Sequence, residues 1–100
     1  MKRKIFNQYV DKLCELFGIT RDDLISTSKR GDLSDARHML YYLCSKRQIS
    51  VSNILKYLLE MGLKTSHSTI SYGIQSVEDK CKIDNDYVQV ITKIENSTSL

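Results

Sequence analysis

Across 100 residues the chain has no proline and only four glycines, so little in it breaks a helix. Its apolar side chains recur at three- and four-residue intervals, the period of an α-helix rather than a strand. Together these features predict an all-α fold of five to six helices, in one domain with an ordered core over about residues 3–95.

In chain order, Ile5, Phe6, Tyr9, Val10, Leu13, Cys14 and Phe17 mark a first amphipathic helix ending at Gly18. Thr20, with Asp23 three residues on, predicts a capping box that opens a helix of one to two turns. Residues 26–32, STSKRGD, read as a basic loop. Asp32 or Ser34 is expected to cap the next helix, whose buried stripe is Leu33, Ala36, Met39, Leu40, Leu43 and Cys44, with Arg37, His38, Tyr41 and Tyr42 nearer its edges. After Ser50 or Ser52, the residues Val51, Ile54, Leu55, Leu58, Leu59 and Met61 predict another helix that stops at Gly62. A closing helix follows Asp84 or Asn85, and the tail NSTSL is expected to fray.

Charge narrows the function classes only slightly. Fifteen Lys and Arg stand against twelve Asp and Glu, and ten of those cations fall in residues 1–50 against six acids. A basic face of that size is compatible with nucleic acid and with simple solvation. The three cysteines, Cys14, Cys44 and Cys81, are odd in number and each lies in an apolar pattern, which suggests buried free thiols in a reducing compartment. Neither histidine has a partner at metal-ligand spacing, so no zinc site is expected. The start MKRKIF is too briefly apolar for a signal peptide and no run approaches ~18 apolar residues, so the expected location is cytoplasmic.

Residues 62–72, GLKTSHSTISY, carry the sharpest functional signal. Gly62 ends one apolar pattern, a short polar run follows, and a second pattern begins at Ile70, which outlines a helix-turn-helix. The second helix should run from about Ser66 to about Lys82 on a narrow stripe of Ile70, Ile74, Val77 and Cys81. Its first turn, Ser66, His67, Ser68 and Thr69, therefore has no apolar side chain and is free to project. Hydroxyl and imidazole groups suit the base edges and phosphates that a recognition helix meets. The same residues also occur at ordinary helix starts, and Arg37 has a plain role available in pairing with Asp32 or Asp35. What favours DNA is the order along the chain: basic loop, helix bearing Arg37, apolar helix, turn, polar-fronted helix.

Over roughly residues 5–94 this order resembles the carboxy-terminal DNA-binding domain of the bacterial replication initiator DnaA, a Trp-repressor-like helix-turn-helix. Ser28, Lys29 and Arg30 stand in that family's basic loop, and Ala36, Arg37, His38 and Met39 are similar to its arginine step. Ser66, His67, Ser68, Thr69 and Ile70 resemble its Asp-His-Thr-Thr-Val string. The resemblance implies that Arg37 and Arg30 reach the minor groove or its phosphates and that Lys29 contacts the backbone. His67 and Ser68, with Ser66 and Thr69, would then meet bases and phosphates in the major groove. The chain departs from the family where Thr65 and Ser66 replace an arginine and an aspartate, with Lys64 an imperfect substitute, and where the stretch from Ile54 to His67 is longer. These departures predict DNA binding with a site preference of its own.

The expected function is thus a stand-alone, sequence-specific double-stranded DNA-binding protein, a phage or bacterial regulator of replication or transcription, with replication or transcription proteins as further partners. There is no Gly-x-x-x-x-Gly-Lys-Ser/Thr phosphate loop and no convincing nucleophile or carboxylate constellation, so neither an enzyme nor a cofactor is expected. Neither a membrane nor a small-molecule substrate is expected as a partner. The competing expectation is a protein-interaction module that keeps the fold without DNA binding and engages its partner through Tyr41, Tyr42 or Tyr57.

Overall fold

A computed structural model describes residues 2–26 and 30–97 and places them in six helices: α1 (Lys2–Phe17), α2 (Arg21–Leu24), α3 (Gly31–Lys46), α4 (Val51–Met61), α5 (His67–Ile83) and α6 (Asn85–Ser97). No strand occurs among the described residues. The helix boundaries follow from local chemistry. Gly18 takes a left-handed φ of 65°, which lets the Ile19 N–H return to the Cys14 carbonyl at 3.0 Å and closes α1. Thr20 and Asp23 form the expected reciprocal capping box at α2. Ser50, rather than Ser52, caps α4, and the Asp84 carboxylate accepts the Asp86 N–H at 3.0 Å at the start of α6.

Burial then assembles the helices. α3 packs against each of the other five, with α5 and α1 as its main neighbours. Phe6, Tyr9, Leu13, Leu40, Leu43 and Ile54 are among the almost fully buried side chains between them. Each such side chain contributes about 1.5–3 kcal/mol through removal from water. Ile70 and Val77 attach α5 to this core, and Ile91 and Ile94 attach α6.

Several expectations need correcting. α3 is capped by neither Asp32 nor Ser34: it begins at Gly31 with Arg30 in the cap position and no side-chain cap bond. Asp32 instead lies in the first turn, where the Arg30 guanidinium forks its carboxylate at 2.7 and 3.1 Å. Tyr41 is no edge residue but is 2% exposed, because α5 crosses directly over it. Leu59 is 60% exposed, since Ile54 and Leu58 already fill the inward face and residue 59 is turned about 100° from Leu58. Of the cysteines only Cys44 is buried; Cys14 and Cys81 are half-buried, and all three are free thiols. Asn96 and Ser97, expected in a frayed tail, belong to α6, and residues 98–100 lie outside the described residues.

Candidate nucleic-acid interface

The connection from α4 to α5 is residues 62–66. Gly62 has φ 108°, a left-handed conformation that strains any residue with a Cβ. This turn allows the Leu63 N–H to reach the Leu58 carbonyl at 2.9 Å, while the Gly62 N–H reaches Leu59 at 3.0 Å. Leu63 is itself buried, so an apolar anchor fixes the turn from beneath. Lys64 extends from it exposed, and Thr65 is half-buried.

Ser66 is extended at φ −128° and ψ 162° and caps α5 by accepting the Thr69 N–H at 3.2 Å. Its hydroxyl also bonds the Thr69 hydroxyl at 3.0 Å, which holds the first turn closed on itself. His67 and Ser68 are exposed, with no side-chain hydrogen bond or ion pair to other described residues. The first backbone N–H groups of a helix lack intrahelical partners and carry the positive end of its dipole. The tip of α5 thus offers backbone donors, an imidazole and a hydroxyl to solvent on a firmly capped turn.

The body of α5 is held against α3 at an unusually short separation. A Cβ on Gly73 would lie 2.8 Å from ring carbons of both His38 and Tyr41, so only glycine fits this crossing without something shifting. Lys80 reaches Asp35 of α3 at 3.1 Å, a half-exposed pair worth at most about 1 kcal/mol. His38 sits edge-on to Tyr72 at 5.9 Å, and its buried Nδ1 has no hydrogen-bond partner among the described residues. Burial pushes this imidazole below its usual titration range, and the nearby Lys80 charge pushes it the same way.

The other predicted contacts lie on the α2–α3 side. Arg37 is half-buried and donates to the Ser26 carbonyl at 2.8 Å and the Leu24 carbonyl at 3.3 Å, so it ties α3 to the chain leaving α2. Asp35, offered by the sequence as an Arg37 partner, takes Lys80. Arg30 is exposed at the start of α3 and holds Asp32, whose carboxyl it keeps below the usual carboxylate range. Lys29, with Ser28, lies outside the described residues. The fold therefore brings Lys64, Thr65, Ser66, His67, Ser68 and Thr69 to one end of α5, and sets Arg30 and Arg37 at the two ends of the loop before and along α3.

The pattern of apolar spacing did not reveal Gly73, which has no side chain to register in a stripe, nor the exposed Tyr72 next to it. The only available signal was a lone glycine within a strong helical period, which marks either weakness or close approach. Among the described residues no cluster of His, Cys, Asp or Glu could hold a metal ion, and no helix is long and apolar enough to cross a membrane.

A family model described as the bacterial dnaA protein helix-turn-helix matches residues 7–77, which takes in the α4–turn–α5 unit and the Ser66 to Ile70 string. The chain belongs to the bacterial DnaA helix-turn-helix family. It is 27% identical over 90 residues to a chromosomal replication initiator protein DnaA from Leptospira biflexa, covering 90% of this chain and 20% of that protein. The DnaA of a Jannaschia species is 30% identical over 91 residues, 88% of this chain and 18% of its own. That of Pseudothermotoga lettingae is 29% identical over 70 residues, 70% and 15% respectively. The chain thus spans about a fifth of the length of these DnaA relatives. No solved structure gives a significant match. The family model reaches to Val77, within α5, and takes in all the described candidate residues, while the match to the Leptospira biflexa protein, over 90% of the chain, extends into α6 as well.

Proposed function

We propose that this DnaA-type domain binds double-stranded DNA in a sequence-specific way, with the first turn of α5 in the major groove and the loop around Lys29 and Arg30 on the adjoining backbone or minor groove. The observation that carries this reading is the tip of α5: His67 and Ser68 stand exposed and unengaged on a turn locked by the Ser66 cap and the buried Leu63. Locked geometry matters because base discrimination needs donors and acceptors held in place before the duplex arrives. In this role His67 and Ser68 meet base edges, Lys64 and Thr65 the flanking phosphates, and Ser66 and Thr69 chiefly hold the turn. Arg37 acts from behind, since its guanidinium is bound to backbone carbonyls at the start of the basic loop. The setting that fits is regulation of replication or transcription at sites related to those of an initiator.

Selection from a pool of random duplexes tests the reading. An enriched motif whose preference relaxes in His67→Ala is expected; failure to shift any duplex at low salt would sink the proposal. If four to six phosphates are neutralised, log affinity should fall against log salt with a slope of roughly −4 to −5. Of the three tyrosines that the rival protein-interaction reading would use, Tyr42 is half-buried and the other two are engaged within the fold. Tyr41 is inside the core, and the half-buried Tyr57 lies against Phe6 at 5.3 Å with the Arg3 guanidinium over its ring.

A further inference from the structure

We infer that Tyr72 is a further base-reading residue of this interface, its ring packing on the C5-methyl edge of a thymine in the major groove; the inference rests on the DNA-binding reading above. Tyr72 is 67% exposed partway along α5 and presents an apolar ring with a polar tip. At about 100° per residue, the side of α5 opposite the buried Ile70, Gly73 and Val77 is the ridge Ser68, Tyr72, Gln75 and Asp79. On its inner side the ring meets His38 of α3 edge-on at 5.9 Å and 81°. An aromatic held from behind loses little freedom on contact.

Position along the helix agrees. Four positions along this ridge separate Ser68 from Tyr72, a rise of roughly 6 Å, which is about two base-pair steps of 3.4 Å. Farther on, the Gln75 amide donates to Asp79 at 3.0 Å, and exposed Glu78 and Asp79 would meet phosphates with like charge. Tyr72 is therefore the last group on this ridge that is neither acidic nor bound to an acid. Of the features a base pair shows in the major groove, the thymine methyl is the one an aromatic ring recognises by apolar contact.

The test uses the full chain and the duplex motif it selects. Each thymine of that motif is replaced singly by deoxyuridine, which removes only the methyl group. One replacement should weaken the wild type about fourfold, the transfer value of one methyl. Tyr72→Phe should keep that sensitivity, whereas Tyr72→Ala should bind the motif more weakly and no longer distinguish thymine from uracil at that position. A parallel readout needs no variant: 5-iodouracil at the sensitive position should photo-cross-link to Tyr72, mapped by mass spectrometry. Persistence of the thymine preference in Tyr72→Ala, absence of any sensitive position, or a cross-link elsewhere overturns the inference while leaving DNA binding intact. Equal affinity of Tyr72→Ala and wild type also overturns it. If the wild type binds no duplex, the functional reading itself fails.

Discussion

At Gly73 two residue-level effects oppose each other. Replacing a helical glycine by alanine normally stabilises by about 1 kcal/mol through backbone entropy and helix propensity. Here the new methyl would meet His38 and Tyr41 at 2.8 Å, and Tyr41 is fully enclosed and cannot swing away. Overpacking of that kind costs about 1–3 kcal/mol, so Gly73→Ala should come out destabilised. Circular dichroism melting should show a lowered midpoint, by roughly 4–8 °C for each kcal/mol lost in a domain of this size. An unchanged or raised midpoint would mean that α5 can lift off α3 without cost. His38, on the other side of the same contact, gives a pH dependence. Its folded pKa is lowered, so the unfolded chain takes up a proton first as pH falls below about 6.5. Its stability contribution is complete above that pH and is lost on descending towards the folded pKa. Urea midpoints should therefore drop between pH 7.5 and 5.5, and His38→Phe should flatten that interval, whether or not the variant is as stable at pH 7.5.

At the scale of elements, the Arg37 side chain helps tie the end of α2 to α3. Arg37 supplies the bonds to the Ser26 and Leu24 carbonyls, so Arg37→Met should loosen the segment that follows α2. Hydrogen exchange should rise at residues 24–26 while the α5 amides stay protected. If Arg37 acts by positioning the loop, affinity should fall similarly for all duplexes, and Arg37→Lys, which keeps the charge on a shorter side chain ending short of the terminal guanidinium nitrogen that meets both carbonyls, should restore little of it. Restoration by lysine would instead mean a simple charge contact with phosphate. Helix ends were legible in the sequence wherever a local device makes them: Thr20 with Asp23, Ser50, Gly62 and Ser66 each act within four residues of where they stand. The α3 start was not legible, because Asp32, a good cap by type, is taken by Arg30. Nor was Tyr41, whose burial is decided by a helix thirty residues away. The tip of α5 was readable because a helix start without apolar residues has little to pack. The ring of Tyr72 and the Gly73 contact depend on which face turns to α3, and a narrow stripe leaves that ambiguous by a residue or more.

For the whole molecule, a net charge of +3 is too small to hold DNA by attraction alone. Lys2, Lys80 and Arg3 are also partly engaged, with the Gln48 carbonyl, Asp35 and Glu60 respectively. Non-specific binding should therefore be weak at physiological salt, and the ratio of specific to random affinity should grow as salt rises, because phosphate contacts weaken faster than base contacts. Competition titrations at two salt concentrations would check this; a ratio that shrinks with salt would mean that phosphates, not bases, decide where the chain sits.

The division of labour within α5 also has an evolutionary consequence. Leu63, Ile70, Gly73 and Val77 hold the helix, whereas His67 and Ser68 stand exposed at its tip and Tyr72, though it touches His38, is 67% exposed. Exposed substitutions of this kind ordinarily move stability by no more than about 0.5 kcal/mol. The lettering of the grip can therefore drift, one exposed position at a time, without passing through an unfolded ancestor. A lineage that keeps the glycine at position 73 retains the handle while it is free to rewrite the lock that the handle turns.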